Sequence, residues 1–397
     1  MVEIAMQKIF RGIIMSTCLL STLHASWWPW HWWRHQPLIL NSSSAMLSGS
    51  LGAIEDELAL YEQWRARSTE EPITFYSQYE EESNEHIARR GVLITRSDAR
   101  ATVLVMHGYT SSKIDMGILR LLFSPYNLLL FDFRAHGESS SGQSSTLGCD
   151  EVYDVFAAVD FLRSHARTKD LPIIAYGFSM GAVTAIEAQS RDHHLFNAMI
   201  LDCPFDSTDA LVKRGLDAFL GKIHIPFTGI EFDFPGRAFI EHHAMDRFVR
   251  PVLLFFLKLF AGMDATRVPT MPKRVNAVLS ARKIKVPVFM IGCYADNRVP
   301  VDAFVRVYQS FGDYKRLWIT RGARHFGSLF NNPELYQQMI VNFTEKVLND
   351  RVRKETRDRV IMDMSVQELQ NMHRRSYKHD IDESVLFTLY PPKKKLN

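Results

Sequence analysis

Short, nearly continuous apolar runs that alternate with helical patterns constrain this chain more than any other feature. The runs fall at 87–95, 101–106 (ATVLVM), 127–133 (NLLLFDF), 172–176 (PIIAY), 197–202 (NAMILD), 286–292 (VPVFMIG) and 315–320 (KRLWIT). Such runs suit strands covered on both faces. Between them lie stretches with helical spacing, clearest where Val152, Val155, Phe156, Val159 and Leu162 share one face. Strands alternating with helices predict an α/β fold: an open, mostly parallel sheet flanked by helices. In sheets of that kind, active groups collect beyond the carboxyl ends of the strands.

One of these strand ends carries a nucleophile pattern. Residues 171–188 read LPIIAYGFSMGAVTAIEA, which places Ser179 between a strand and a helix. The pentapeptide Gly-x-Ser-x-Gly alone is weak, since a chain of this length shows it by chance roughly one time in ten. The strand-to-helix context is what makes it specific, because a sharp turn there strains the serine backbone and exposes its hydroxyl. Gly177 and Gly181 suit positions where strand and helix crowd together, and Ala182 and Ala185 let the helix pack close.

A serine hydroxyl needs a base, and the base needs an orienting group. Asp296 follows the run at 286–292 and His325 follows the run at 315–320. Alone, the first reads as a turn former and the second as a loop histidine. In the order Ser, Asp, His, each beyond a strand, Ser179, Asp296 and His325 read as a triad. The oxyanion requires two N–H donors. Met180 supplies one at the start of the helix, and Tyr109 in VLVMHGYTSSK (103–113) supplies the other.

These segments together resemble the α/β-hydrolase superfamily. MHGYTSS, DFRAHGES (132–139), GFSMG, DNRVP (296–300) and GARHF (322–326) stand in that family's order, from about residue 87 to 349. The resemblance extends to its monoacylglycerol-lipase, serine-aminopeptidase and depalmitoylating branches. It implies an α/β-hydrolase fold with a helical cap insertion and a serine hydrolase acting on esters or thioesters, with no cofactor and no metal. Asp132, Arg134 and His136 are expected to pin a loop. IGCYAD (291–296) departs from the family, where a His-Gly pair often precedes the acid.

The remaining segments set the domain boundaries. Residues 1–26 read as an export signal: Lys8 and Arg11 precede the apolar run GIIMSTCLLSTL, and LHAS offers a cleavage site. The protein is therefore expected to be exported or held at the cell envelope. Residues 27–86 comprise a tryptophan-rich segment, a Ser-rich linker and a short helix with Ile54, Leu58 and Tyr61 on one face. Trp27, Trp28, Trp30, Trp32 and Trp33 suit contact with a membrane surface, where an apolar ring and a polar N–H are both accommodated. Residues 87–204 and 284–349 form the two parts of the core, and 205–283 the cap, rich in Phe, Leu and Ile. The apolar cap predicts an acyl substrate. Glu231, Asp233 and Glu241 within it keep an aminopeptidase of the same fold open, and a non-catalytic binding module is the third alternative. Residues 350–397 form a charged extension, helical over 351–376, with eleven Lys/Arg against seven Asp/Glu in 351–397. The whole-chain net charge of +3 predicts no nucleic-acid partner. Four cysteines without CxxC spacing suggest neither a disulfide framework nor a zinc site.

Overall fold

The structure is a computed structural model. It describes residues 67–80, 83–140, 142–211, 213–214, 223–224, 231–232, 268–296, 298–312, 314–321, 325–349 and 358–362. The expected export signal, the tryptophan run, the helix around Leu58 and most of the cap lie outside these residues. So do Asp233, Glu241 and the side chain of Glu231. Residues 64–397 cluster as one compact unit.

All seven expected strands form, as part of a nine-stranded sheet. Its strands are β1 (Ser68–Gln78), β2 (His86–Arg96), β3 (Thr102–Met106), β4 (Asn127–Phe131), β5 (Ile173–Phe178), β6 (Ala198–Asp202), β9 (Val288–Cys293), β10 (Lys315–Thr320) and β11 (Asp358–Met362). A separate antiparallel pair joins β7 (Ile223–His224) to β8 (Glu231–Phe232). The sheet order is β1-β2-β4-β3-β5-β6-β9-β10-β11. Only β2 runs against its neighbours, β1 and β4; every other pairing is parallel.

Helices cover both faces, as the apolar runs require. On one face, Leu104, Leu129, Ala175, Met199 and Met290 pack with α2 (Glu151–Ser164), α3 (Met180–Arg191), α4 (Ala277–Ala281) and α5 (Val301–Ser310). On the other, Val103, Leu128, Ile174, Ile200 and Phe289 pack with α1 (Leu119–Leu122) and with α7 (Pro333–Leu348), which follows the short α6 (Gly327–Asn331). Strand neighbours such as Val103 and Leu104 thus point to opposite faces, the period-two pattern of a pleated strand. In α2, Val152, Val155, Val159 and Leu162 are buried as their spacing predicts, and Phe156 is half-buried.

Two expectations are corrected at the sheet's ends. The core begins at Ser68 rather than at residue 87, because β1 pairs antiparallel with the whole of β2. Within β1, Phe75 and Ser77 are buried while the residues between and before them are half-buried or exposed. An edge strand covered on one face tolerates Glu70, Glu71 and Pro72, which make it read as polar. At the other end, residues 358–362 form β11, paired parallel to β10, where a helix was expected. The pairing supplies backbone partners to an otherwise open strand edge, and that tertiary gain outweighs local helical spacing.

Candidate active site

The turn from β5 into α3 is built by close approach. A Cβ at Gly181 would stand 2.1 Å from the Met106 carbonyl oxygen and 2.6 Å from that of His107. A Cβ at Gly177 would stand 2.6 Å from Ala182 Cα. Between these glycines Ser179 has φ +52° and ψ −113°, a conformation costly for a side chain with a Cβ. Its N–H donates to the Asp202 carbonyl at 2.8 Å, and its own carbonyl accepts from Ala182 N–H at 3.0 Å. Ser179 is half-exposed, whereas Phe178 and Met180 beside it are buried. Met180 occupies the first position of α3, where a backbone N–H has no partner within the helix.

The strain is not confined to the serine. Among the described residues, the non-glycine positions with positive φ are Thr110, Ala135, Leu147, Ser179, Cys203 and Phe326. Five of these six follow the carboxyl ends of β3, β4, β5, β6 and β10. Backbone strain of this kind clusters at active sites and ligand clamps.

Asp296 and His325 meet on this edge. His325 Nδ1 lies 2.6 Å from Asp296 Oδ2. The other carboxylate oxygen accepts from Arg298 N–H at 2.8 Å and Val299 N–H at 3.0 Å. Burial alone would push the Asp296 carboxyl up, but the hydrogen bond and charge of His325 and these two N–H groups hold it below its ordinary value. The His325 ring lies 4.9 Å from the ring of Phe178, tilted by 43°, which sets the imidazole beside the residue preceding Ser179. Phe326 closes on the same ring at 4.2 Å.

The loop after β3 is pinned from below. His107 is fully buried; its Nε2 accepts from Phe133 N–H at 3.0 Å and its Nδ1 donates to the Gly108 carbonyl at 2.8 Å. Burial, and then the neighbouring His136, lower its pKa to about 3, so it is a neutral structural group. His136 Nε2 accepts from Thr110 N–H at 3.2 Å, one residue past Tyr109. Asp132 accepts from Lys113 N–H, Lys113 Nζ and Glu138 N–H. Arg134 binds Asp154 and the carbonyls of Gln78 and Tyr79. Asp132, Arg134 and His136 thus act as loop pins, each spent on protein groups.

Several supporting residues carry no motif that sequence reasoning could have read. Glu151 is buried and accepts four hydrogen bonds, from Ser145 Oγ, Thr146 N–H, Thr146 Oγ1 and Gly148 N–H. It thereby fixes the loop that lies against Met180. Asp202 accepts from Tyr336 Oη at 2.7 Å, and burial raises its pKa to about 6. Ligand atoms of Cys203, Asp296 and His325 lie within 4.8 Å of one another, the spacing of a metal trio. However, His325 Nδ1 is already paired with Asp296, and burial pushes the Cys203 thiol well above its ordinary value, away from the thiolate a metal requires.

The model of the alpha/beta hydrolase family matches residues 103–336, more than half of the chain. The chain belongs to this family. It is 28% identical to the uncharacterized protein YqkD of Bacillus subtilis over 266 residues, 66% of this chain and 76% of YqkD. In fold it resembles the Pyrococcus furiosus esterase Pf2001, two of whose crystal forms give TM-scores of 0.51 and 0.52 at 22% and 23% identity. Those matches cover 72% of this chain and 94% and 93% of the esterase. This hydrolase chain contains, among its described residues, no helix long and apolar enough to cross a membrane.

Proposed function

We propose that the protein is a serine hydrolase that cleaves carboxylic esters or thioesters. The observation that carries this reading is Ser179 held at φ +52° on a turn between two glycines, on the sheet edge where Asp296 and His325 pair at 2.6 Å. In the reaction His325 Nε2 takes the Ser179 proton, and Ser179 Oγ attacks the carbonyl carbon. Asp296 keeps the imidazole proton on Nδ1, so that Nε2 is the basic nitrogen. The N–H groups of Met180 and Tyr109 receive the oxyanion. Collapse expels the alcohol or thiol, protonated by His325, and leaves an acyl-enzyme. Water, deprotonated by His325, then releases the acid. The fold likeness to the Pyrococcus furiosus esterase Pf2001 agrees with this chemistry.

Labelling with a fluorophosphonate probe tests the proposal directly. We expect covalent labelling of the wild type at Ser179 and none in Ser179→Ala. A folded Ser179→Ala protein with full esterase activity would refute the mechanism.

We further propose an apolar acyl group, on the composition of residues 205–283. Each buried methylene contributes about 0.8 kcal/mol, so kcat/KM should climb from acetyl toward octanoyl esters until the pocket ends. A flat or falling series, together with release of N-terminal amino acids from peptides, would instead identify an aminopeptidase. The tryptophan run 27–33 is proposed to favour a membrane surface in an exported protein. Co-sedimentation with anionic vesicles should weaken when residues 1–36 are removed, and equal binding by both forms would exclude that role.

A further inference from the structure

The two proposed oxyanion donors, Tyr109 and Met180, sit on different segments, the loop after β3 and the start of α3, which approach each other where Gly181 meets the carbonyls of Met106 and His107. A short strap, residues 268–271, touches the supports of both. On the Tyr109 side, the phenol oxygen lies 2.6 Å from Thr270 Oγ1. Thr270 Oγ1 in turn donates to the Val268 carbonyl at 2.7 Å. A hydroxyl has one proton, so Tyr109 O–H is the donor to Thr270, and Thr270 is the acceptor that holds the ring. Thr270 is buried. On the Met180 side, the strap pairs with Ser145: Ser145 N–H donates to the Pro269 carbonyl and Met271 N–H to the Ser145 carbonyl, both at 2.8 Å. Ser145 Oγ lies 3.5 Å from Met180 Sδ and donates to Glu151 at 2.7 Å.

We propose that this strap gauges the oxyanion hole, with Thr270 as a positioning residue that fixes Tyr109 through its hydroxyl. The inference rests on the serine hydrolase reading above. Tyr109 also packs against the core, is tied from the following residue through Thr110 N–H on His136, and makes an edge-on ring contact with His136 at 5.8 Å. The Thr270 bond restrains the ring from the opposite end. A donor that drifts still allows substrate to bind but stabilises the oxyanion less, so the loss should appear in kcat rather than in KM.

The test is a double-mutant cycle on a soluble p-nitrophenyl ester, with the same variants timed in fluorophosphonate inactivation. Removing an oxyanion donor outright costs about 10²–10³ in kcat, so loosening one should cost about tenfold. Thr270→Val and Tyr109→Phe each delete the same hydrogen bond while keeping the backbone N–H. We expect each to lower kcat about tenfold with KM unchanged, and the double variant to be no slower than either single. Inactivation rates should fall in parallel, since the phosphonyl oxygen occupies the same hole. Thr270→Ser, which retains the hydroxyl, should restore the rate. Additive losses, equal slowing by Thr270→Ser and Thr270→Val, or a change confined to KM would each overturn the gauge. If Thr270→Val fails to fold, Tyr109→Phe and Thr270→Ser decide alone: a slow Phe variant beside a fast Ser variant supports the proposal, and any other pairing refutes it. Labelling of the wild type at Ser179 separates the two levels. A labelled wild type with unaffected variants removes only the gauge, whereas an unlabelled wild type removes the hydrolase reading and the gauge with it.

Discussion

At the residue scale, the candidate site turns on how its acidic member is held. Asp296 spends one oxygen on two backbone N–H groups and the other on His325. Asp296→Asn keeps an oxygen for Arg298 and Val299 but turns an amide NH₂ toward His325 Nδ1. That nitrogen must then accept, and the ring proton moves to Nε2, where it blocks removal of the serine proton. We expect kcat on a short ester to drop by about 10²–10⁴ with the fold intact, by analogy with other triads. A rate within a factor of about three of wild type would show that Asp296 does not orient the base. Gly181 makes a different point, since backbone oxygens of Met106 and His107 stand where a Cβ would go. Backbone cannot swing aside as a side chain does. Gly181→Ala should therefore cost about 1–3 kcal/mol or more of stability, read as a lowered midpoint in urea, and displace the Ser179 turn.

At the element scale, the sheet's two ends are the informative places. β11 pairs with β10 along five residues, from Lys315 opposite Asp358 to Ile319 opposite Met362. Removing residues 350–397 would leave β10 as an open edge strand of LWIT character, a template for pairing with another chain. We expect the truncated protein to form higher-mass species in size-exclusion chromatography, whereas the full chain elutes at lower mass. Identical elution and identical thermal midpoints would mean that β11 contributes neither closure nor stability. β1 illustrates why edges escape a reading by pattern. Its polar residues face outward on an edge, and only Phe75 and Ser77 reach burial. The central strands, covered on both faces, declare themselves through short, nearly continuous apolar runs.

At the scale of the whole molecule, a buried charge network joins distant parts of the chain. Asp154 on α2 accepts from Arg89 on β2, from Arg134 after β4 and from Ser77 on β1. Arg89 and Asp154 are fully buried and Arg134 nearly so. Burial would raise the Asp154 carboxyl, but the two guanidinium groups and their hydrogen bonds hold it down to about 2, against 3.8 for a free aspartate. Because the folded value lies below the unfolded one, the carboxylate stabilises the fold fully above pH 3.8, and that share is lost as pH falls toward 2. Asp154→Ala leaves two buried arginines without their shared anion and should cost about 3–5 kcal/mol at neutral pH. Acid unfolding of the variant should also be less steep between those two pH values. An unchanged acid transition would show that Arg89 and Arg134 find other partners.

The amino-acid sequence by itself determined the fold class, the seven central strands and the order of the candidate site residues. It could do so because both-face burial writes itself as apolar runs, and because the turns that carry Ser179, Asp296 and His325 need particular residues in local sequence. The resemblance to the α/β-hydrolases also marked Asp132, Arg134 and His136 as loop pins. What only the tertiary structure decided is which groups those pins hold and what supports the site from a distance. Asp154, Glu151 and Thr270 sit in unremarkable sequence, and their partners lie as far as 161 residues away, as with Thr270 and Tyr109. Edge strands β1 and β11 belong to the same class. Each gains its stability from pairing with a neighbour, a backbone interaction that leaves almost no trace in side-chain pattern, so only the assembled sheet reveals it.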